Sequence, residues 1–157
     1  MSKTFPYNQD LASLLSLSFS AMNQELHNRL KEAGFGDVRP AHSFLFQGLM
    51  PDGATAKTLV AHLGISKQAV SQMLDYLEEC GYVARKPHPS DGRGKMVVLT
   101  ERGWSLVRTK ENIYKEIEQR WARMIGSDHM KTLQQDLKHI IENVNEEDLQ
   151  HPLRPVW

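Results

Sequence analysis

The chain of 157 residues has a single cysteine, no excess of either charge and no long apolar run, and each shortage argues against a class of protein. Cys80 alone cannot form an intramolecular disulfide, as a secreted disulfide-rich domain would require. No run approaches the roughly 18 apolar residues of a membrane span. The start, MSKTFPYNQD, lacks the basic end and apolar centre of a signal peptide. These observations predict a single soluble domain in the cytoplasm, without membrane contact.

A balanced charge also limits the partners. The 19 basic and 19 acidic side chains give a formal net charge of +0, so a polyanion would have to meet a local patch. Such a patch is indicated by a local absence of acids. From Gly53 to Leu74 there is no Asp or Glu, while Lys57 and Lys67 are present. A surface built from this stretch would not repel phosphate.

Helical periodicity covers most of the chain. Apolar residues at intervals of three and four predict a long helix from Leu11 to near Gly34, and HSFLFQGLM predicts a short buried helix that Pro51-Asp52-Gly53 ends. Thr100 is a candidate N-cap for another long helix. Gly126-Ser127-Asp128 is expected to break it before a last helix.

The middle of the chain predicts a helix-turn-helix. Thr55 to Leu63 can form one short helix, Gly64 can end it, and Ser66 can cap a second helix from Lys67 to about Cys80. One side of this second helix carries Lys67, Gln68, Ser71 and Gln72, which are suited to base edges and phosphates in a DNA major groove. A polar helix face alone, however, is equally typical of a surface that only meets water.

A β-ribbon is predicted after this helix. Tyr82 to Lys86 and Lys95 to Leu99 are β-prone, and PHPSDGRG joins them as a hairpin. The ribbon carries four cations and one acid, namely Arg85, Lys86, Arg93, Lys95 and Asp91. An arginine at the tip suits a narrow minor groove, where the negative potential is enhanced. Asp91 could hold the Arg93 guanidinium or stabilise the turn.

A helix-turn-helix followed closely by a basic ribbon favours DNA binding. The alternative, that both are polar surfaces that contact only water, is less favoured. We therefore predict a mainly α fold with a small β-hairpin wing, which binds double-stranded DNA. The candidate DNA-binding residues are Thr55, Lys57, Ser66, Lys67, Gln68, Ser71, Gln72, Arg85, Lys86, Asp91, Arg93 and Lys95.

Residues 55–103 resemble the MarR family of winged helix-turn-helix transcription regulators. The likeness is carried by LVAHLGIS, by LDYLEECGYV, by DGRGK in the wing and by LTERG at its exit. It implies a symmetric dimer that reads a pseudo-palindrome, with a recognition helix from Ser66 to Cys80 and a wing containing Asp91 and Arg93. PHP at 87–89 departs from the family pattern and stiffens the ribbon.

The resemblance also implies an arrangement of domains and a mode of control. Residues 1–34 and 101–157 would form a helical dimerisation region, and residues 35–100 the DNA-binding lobe. Apolar stripes on the terminal helices, continued by Leu153, Val156 and Trp157, favour a homodimer independently, although they could instead pack within one chain. The family implies a repressor that a small-molecule effector can release. His42, Phe46 and Trp104 are candidate pocket residues, or simply core.

Other functions have weaker support in the sequence. GRGK at 92–95 does not complete a phosphate-binding loop, because Pro89 and Met96 stand where Gly and Ser or Thr are required. The seven histidines show no i, i+4 pair and no cysteine nearby, so no metal site and no cofactor are predicted. Cys80 is expected to be a packing residue. We expect no enzyme. The remaining alternative is a helical dimer that acts through protein partners without specific DNA binding.

Overall fold

The computed structural model describes residues 10–144, and within them the chain forms six helices and one antiparallel hairpin. The order is α1 (Leu11–Glu32), α2 (His42–Leu49), α3 (Ala56–Leu63), α4 (Lys67–Glu79), β1 (Val83–Pro87), β2 (Lys95–Leu99), α5 (Glu101–Ile125) and α6 (Ser127–Asn143). The predicted mainly α fold with a β-hairpin is confirmed. The predicted apolar tail residues Leu153, Val156 and Trp157 lie outside the described residues.

Side-chain caps set the beginnings of several helices. Asp10 begins α1 by accepting a hydrogen bond from the Ser13 amide at 2.8 Å. Thr100 begins α5 in the same way, accepting from the Gly103 amide at 3.1 Å. The break after α5 is shorter than the sequence predicted. Only Gly126 lies between α5 and α6, and Ser127-Asp128 already form the first turn of α6, where an acid is favourable.

The hairpin has a third, single-residue partner. Its register pairs Val83 with Leu99 and Pro87 with Lys95, so β1 is one residue later than predicted. Ala54, just before α3, forms a bridge to Val97, with hydrogen bonds of 2.8 and 3.0 Å in the two directions. Gly53 permits this approach: its φ is +88°, and a Cβ there would lie 2.5 Å from the Val97 carbonyl oxygen.

The core lies where α2, α3, α4 and the hairpin meet the start of α5. Val70, Leu74 and Leu77 form the buried side of α4. Tyr82, between α4 and β1, is also fully buried. The core holds α4 by its apolar face, so the opposite face is presented to solvent.

α1 and α5 pack together by ion pairs and apolar contacts. Arg29 pairs with Glu116, and Arg120 pairs with Glu25. The Tyr114 hydroxyl lies 3.3 Å from Asn23 Oδ1. These contacts hold the C-terminal half of α1 against α5 and leave its N-terminal half without cover from the described part of the chain.

A polar cluster around Asp37 joins the α1–α2 connector to α4, to Tyr82 and to the start of α5. The Tyr76 hydroxyl of α4 donates to the Asp37 carbonyl oxygen at 2.7 Å, and the Tyr82 hydroxyl donates to its carboxylate. Arg102 pairs with the same carboxylate at 3.3 Å and lies over the Tyr82 ring. Burial raises the pKa of Asp37, but the Tyr82 hydrogen bond and the Arg102 charge outweigh it and hold the pKa below its usual value. Asp37 therefore stays ionised, and its carboxylate fixes the connector against Tyr82 and Arg102.

Candidate nucleic-acid interface

The turn between α3 and α4 is built as the sequence predicted. Gly64 ends α3 in the left-handed conformation, with φ 61°. Two residues later, Ser66 caps α4 by accepting from the Ala69 amide at 3.1 Å. This tight connection leaves the first turn of α4 at the surface.

The exposed face of α4 carries the predicted polar side chains. Lys67, Gln68, Ser71 and Gln72 are all exposed, while the apolar side of the same helix is buried. A helix that is held from one side and polar on the other has the shape and the groups that enter a major groove.

The two candidates at the start of α3, Thr55 and Lys57, differ in their surroundings. Thr55 is the N-cap of α3, and its hydroxyl accepts from the Thr58 amide at 3.1 Å, so part of its capacity is used within the helix. Lys57 is exposed in the first turn. Of this pair, Lys57 is the freer group for a phosphate.

Arg85 is held within the protein by two acids of α4. Its guanidinium bonds to Asp75 at 2.6 Å and to Glu78, and its backbone amide donates to the same Glu78 carboxylate at 3.1 Å. Burial lowers the pKa of Arg85, but these carboxylates raise it more, so the net shift is upward. The contacts join β1 to α4 and neutralise an acid on the exposed face of α4.

The wing tip gives one answer to the two roles that the sequence left open for Asp91. Asp91 Oδ1 accepts from the Arg93 amide at 3.0 Å, and the Asp91 carbonyl accepts from the Gly94 amide at 3.0 Å. Asp91 thus stabilises the turn. The Arg93 side chain forms no ion pair within residues 10–144 and is exposed. Together with Lys86 and Lys95 it borders a groove of about 230 Å³ on the ribbon.

A separate cavity of about 210 Å³ lies between α1, α2 and α5. It is lined by Leu30, Val38, Ser43, Phe46, Gln47, Met50, Leu106, Val107, Lys110, Glu111 and Tyr114. The structure does not bring the three candidate pocket residues together: Phe46 lines this cavity, His42 lines a groove beside α4, and Trp104 packs against the core.

Lys110 and Tyr114 are two of the polar lining residues that were not predicted from the sequence. Burial lowers the pKa of Lys110 and raises that of Tyr114, and the Lys110 ammonium lies 5.8 Å from the centre of the Tyr114 ring. A signal was present, because Val107, Lys110 and Tyr114 share one helix face and the lysine interrupts an otherwise apolar stripe.

The described residues form neither a metal-ligand cluster nor a membrane-spanning helix. Within 10–144, no three His, Cys, Asp or Glu side chains come together as a set of metal ligands. None of the helices in that range is both long and apolar enough to cross a bilayer. Cys80, the C-cap of α4, is half-buried as a free thiol.

Comparison with known proteins agrees with this geometry. Residues 46–94 match the model of the MarR family. An uncharacterized HTH-type transcriptional regulator of Mycobacterium leprae is 25% identical over 135 residues, covering 85% of this chain and 86% of the relative.

Solved structures share the fold at low identity. The reduced form of MarR from E. coli superposes with a TM-score of 0.69 at 24% identity, covering 85% of this chain and 98% of that one. A mutant of S. aureus MepR bound to an oligodeoxyribonucleotide gives 0.59 at 20% identity, with coverage of 88% and 100%. The fold is therefore that of MarR-type winged helix proteins.

Proposed function

We propose that the chain is a winged helix-turn-helix transcription regulator of the MarR family, which represses transcription as a homodimer bound to a pseudo-palindromic operator. Each lobe, residues 35–100, would place α4 in the major groove and the wing in the adjacent minor groove. Residues 1–34 and 101–157 would form the dimer body. Repression would follow from occlusion of the promoter, in the cytoplasm.

The observation that carries the proposal is the state of the two candidate reading elements. The exposed face of α4 offers amides, a hydroxyl and a cation, and Asp75, an exposed acid on the same helix, pairs with Arg85. The Arg93 guanidinium is free at the tip of a turn that Asp91 organises through the backbone. Groups that have no partner in the described protein are available to DNA.

A dimer is supported by apolar side chains that the described chain leaves in water. They are Leu11, Leu14, Leu15, Leu17 and Phe19 on α1, Met124 and Ile125 at the end of α5, and Leu133, Ile140, Ile141 and Val144 in and after α6. Exposed apolar surface of this extent is typical of an interface. With two copies joined there, recognition helices about 34–36 Å apart would meet successive major grooves.

Release by a small molecule is supported by the cavity between α1, α2 and α5. It lies between elements of the proposed dimer body and the lobe, so a ligand that fits it in only one arrangement of the two would shift the protein towards that arrangement. A ligand that favours an arrangement whose α4 spacing does not match the operator would weaken DNA binding.

Removal of the Arg93 side chain tests the DNA-binding proposal. We expect Arg93→Ala to weaken binding to duplex from the gene's own upstream region by about 1–3 kcal/mol, because a well-formed groove contact is lost. Fluorescence anisotropy at several salt concentrations measures it, and Arg108→Ala, which removes an exposed α5 cation, is the matched control. Equal affinities of wild type and Arg93→Ala would remove the wing arginine from the interface.

Arg85 is expected to act through the acids of α4. In Arg85→Ala, Asp75 would face DNA as an uncompensated charge, so affinity should fall by on the order of 1 kcal/mol. Asp75→Asn should bind like wild type, and the double variant Arg85→Ala/Asp75→Asn should recover most of the loss in the same anisotropy assay. The double variant could instead stay as weak as Arg85→Ala, with a salt dependence that corresponds to about one phosphate contact fewer than in wild type. That result would show that Arg85 contacts DNA directly.

A further inference from the structure

A groove of about 310 Å³ runs along one flank of α4, beside its exposed polar face. It lies between α4 and the residues that lead into α2, and it is lined by Arg39, His42, Ala69, Gln72, Met73 and Tyr76. Gln72 belongs to both the groove and the exposed face of α4. The groove therefore opens next to the surface that the proposed function places in the major groove.

Arg39 is a cation held at this groove without an acid partner. Its guanidinium carbon lies 5.8 Å from the centre of the Tyr76 ring on α4. Arg29, Arg85, Arg102 and Arg120 each pair with a carboxylate, whereas Arg39 forms no ion pair within residues 10–144. Tyr76 is itself fixed by its hydrogen bond to the Asp37 carbonyl. Arg39 is thus positioned and uncompensated.

His42 supplies a second donor from the wall of the groove. The side chain is only 5% exposed, and its Nδ1 lies 3.1 Å from the Arg39 amide, which can only donate. Nδ1 must then be unprotonated, so the ring proton is on Nε2, which has no hydrogen-bond acceptor in the described part of the chain. Burial lowers the pKa of His42 most, and the charge of Arg39 lowers it further, so the ring stays neutral.

The acids near the groove are already engaged. Asp37 is bound by the Tyr82 hydroxyl and Arg102, and Asp75 is bound by Arg85. The groove lining itself contains no carboxylate. A free guanidinium, an imidazole N–H and the amide of Gln72 form a set that suits an oxyanion.

We infer that this groove receives a phosphate of the DNA backbone, and that Arg39 and His42 are a third contact element beside the recognition helix and the wing. The inference rests on the proposed function, since α4 must lie in a major groove for a phosphate to reach its flank. Phosphate contacts fix the register of a protein on the duplex and add affinity without regard to sequence. Arg39 would therefore set how deeply α4 enters the major groove of the DNA.

Charge removal at Arg39 tests the contact. Arg39→Gln should weaken binding to operator and to scrambled duplex by a similar factor, about tenfold. The slope of log affinity against log salt should become shallower by the amount that corresponds to the loss of about one phosphate contact. Arg39→Lys should keep most of the slope because it keeps the charge. Arg108→Gln, with the same loss of charge on α5, should change neither quantity, and circular dichroism melting should show that all variants fold.

Neutral phosphates locate the contact and separate DNA from a free anion. Operator duplexes carrying one methylphosphonate at a time should include a position where wild type loses affinity and Arg39→Gln loses nothing further. Specific binding by wild type, with no such position and an unchanged slope in Arg39→Gln, would overturn the inference and leave the proposed function intact. A groove that binds inorganic phosphate, yet shows no such position, would be a free-anion site. No binding of wild type to any duplex would overturn both.

Discussion

Replacing Leu15 and Phe19 by glutamate is expected to convert the protein into a monomer that has lost specific DNA binding. Both side chains are exposed on the N-terminal half of α1, Phe19 by 52%, and lie one helical turn apart. Two charges at the centre of an apolar interface would leave carboxylates unpaired on association. Without the link between lobes, operator affinity should fall at least about 100-fold. Light scattering should give 17.9 kDa for the variant and twice that mass for wild type.

Position on the helix, not added charge, should decide this result. Ser16 and Ser20 are exposed on α1, each one residue after a substituted position, and point away from the apolar side. Ser16→Glu/Ser20→Glu should therefore stay dimeric and bind the operator. A Leu15→Glu/Phe19→Glu protein that remains a dimer, or a monomer that keeps full affinity, would contradict the proposed interface.

Gly103→Ala is expected to produce the largest loss of stability from a single added methyl group. A Cβ at this position would lie 2.3 Å from the Tyr82 carbonyl oxygen and 3.2 Å from Leu99 Cδ2. Backbone cannot move aside as a flexible side chain does, so the first turn of α5 must shift away from the hairpin. We expect about 3 kcal/mol of destabilisation, or a melting temperature roughly 5–10 °C lower.

Gly92 at the wing tip is the control for this substitution. A Cβ there has nothing within 4 Å, and its φ is not in the left-handed region. Gly92→Ala should melt within about 1–2 °C of wild type in the same calorimetric scan. If Gly103→Ala has the same melting temperature as Gly92→Ala, then α5 is not packed on Tyr82 as described.

Features coded by neighbouring residues could be predicted from the sequence. Gly64, Ser66 and Thr100 act on backbone groups within three residues, so the ends of α3, α4 and α5 could be predicted from residue type. The hairpin followed from two β-prone runs and a loop with two glycines. The final LTERG glycine was recognised only as part of a pattern, and the structure supplies its reason, which is the close approach of Tyr82 to Gly103.

Features that join distant parts of the chain could not be predicted. The Ala54–Val97 bridge is one residue long and has no local periodicity. The pairing of Arg85 with Asp75 and Glu78 needs the strand to fold back on α4, so sequence alone placed Arg85 with the free cations of the wing. Arg39 precedes a short helix and has no motif. Its position beside Tyr76, 37 residues later, exists only in the folded lobe.

The central claim is that this protein reads a specific, two-fold DNA site. A DNase I footprint of wild type on the upstream region of its own gene, with scrambled duplex as competitor, tests it most directly. We expect protection of two half-sites whose centres lie one helical turn, about 10–10.5 base pairs, apart. Weak, uniform protection that scrambled duplex abolishes would contradict the claim and favour a winged helical dimer that acts through protein partners.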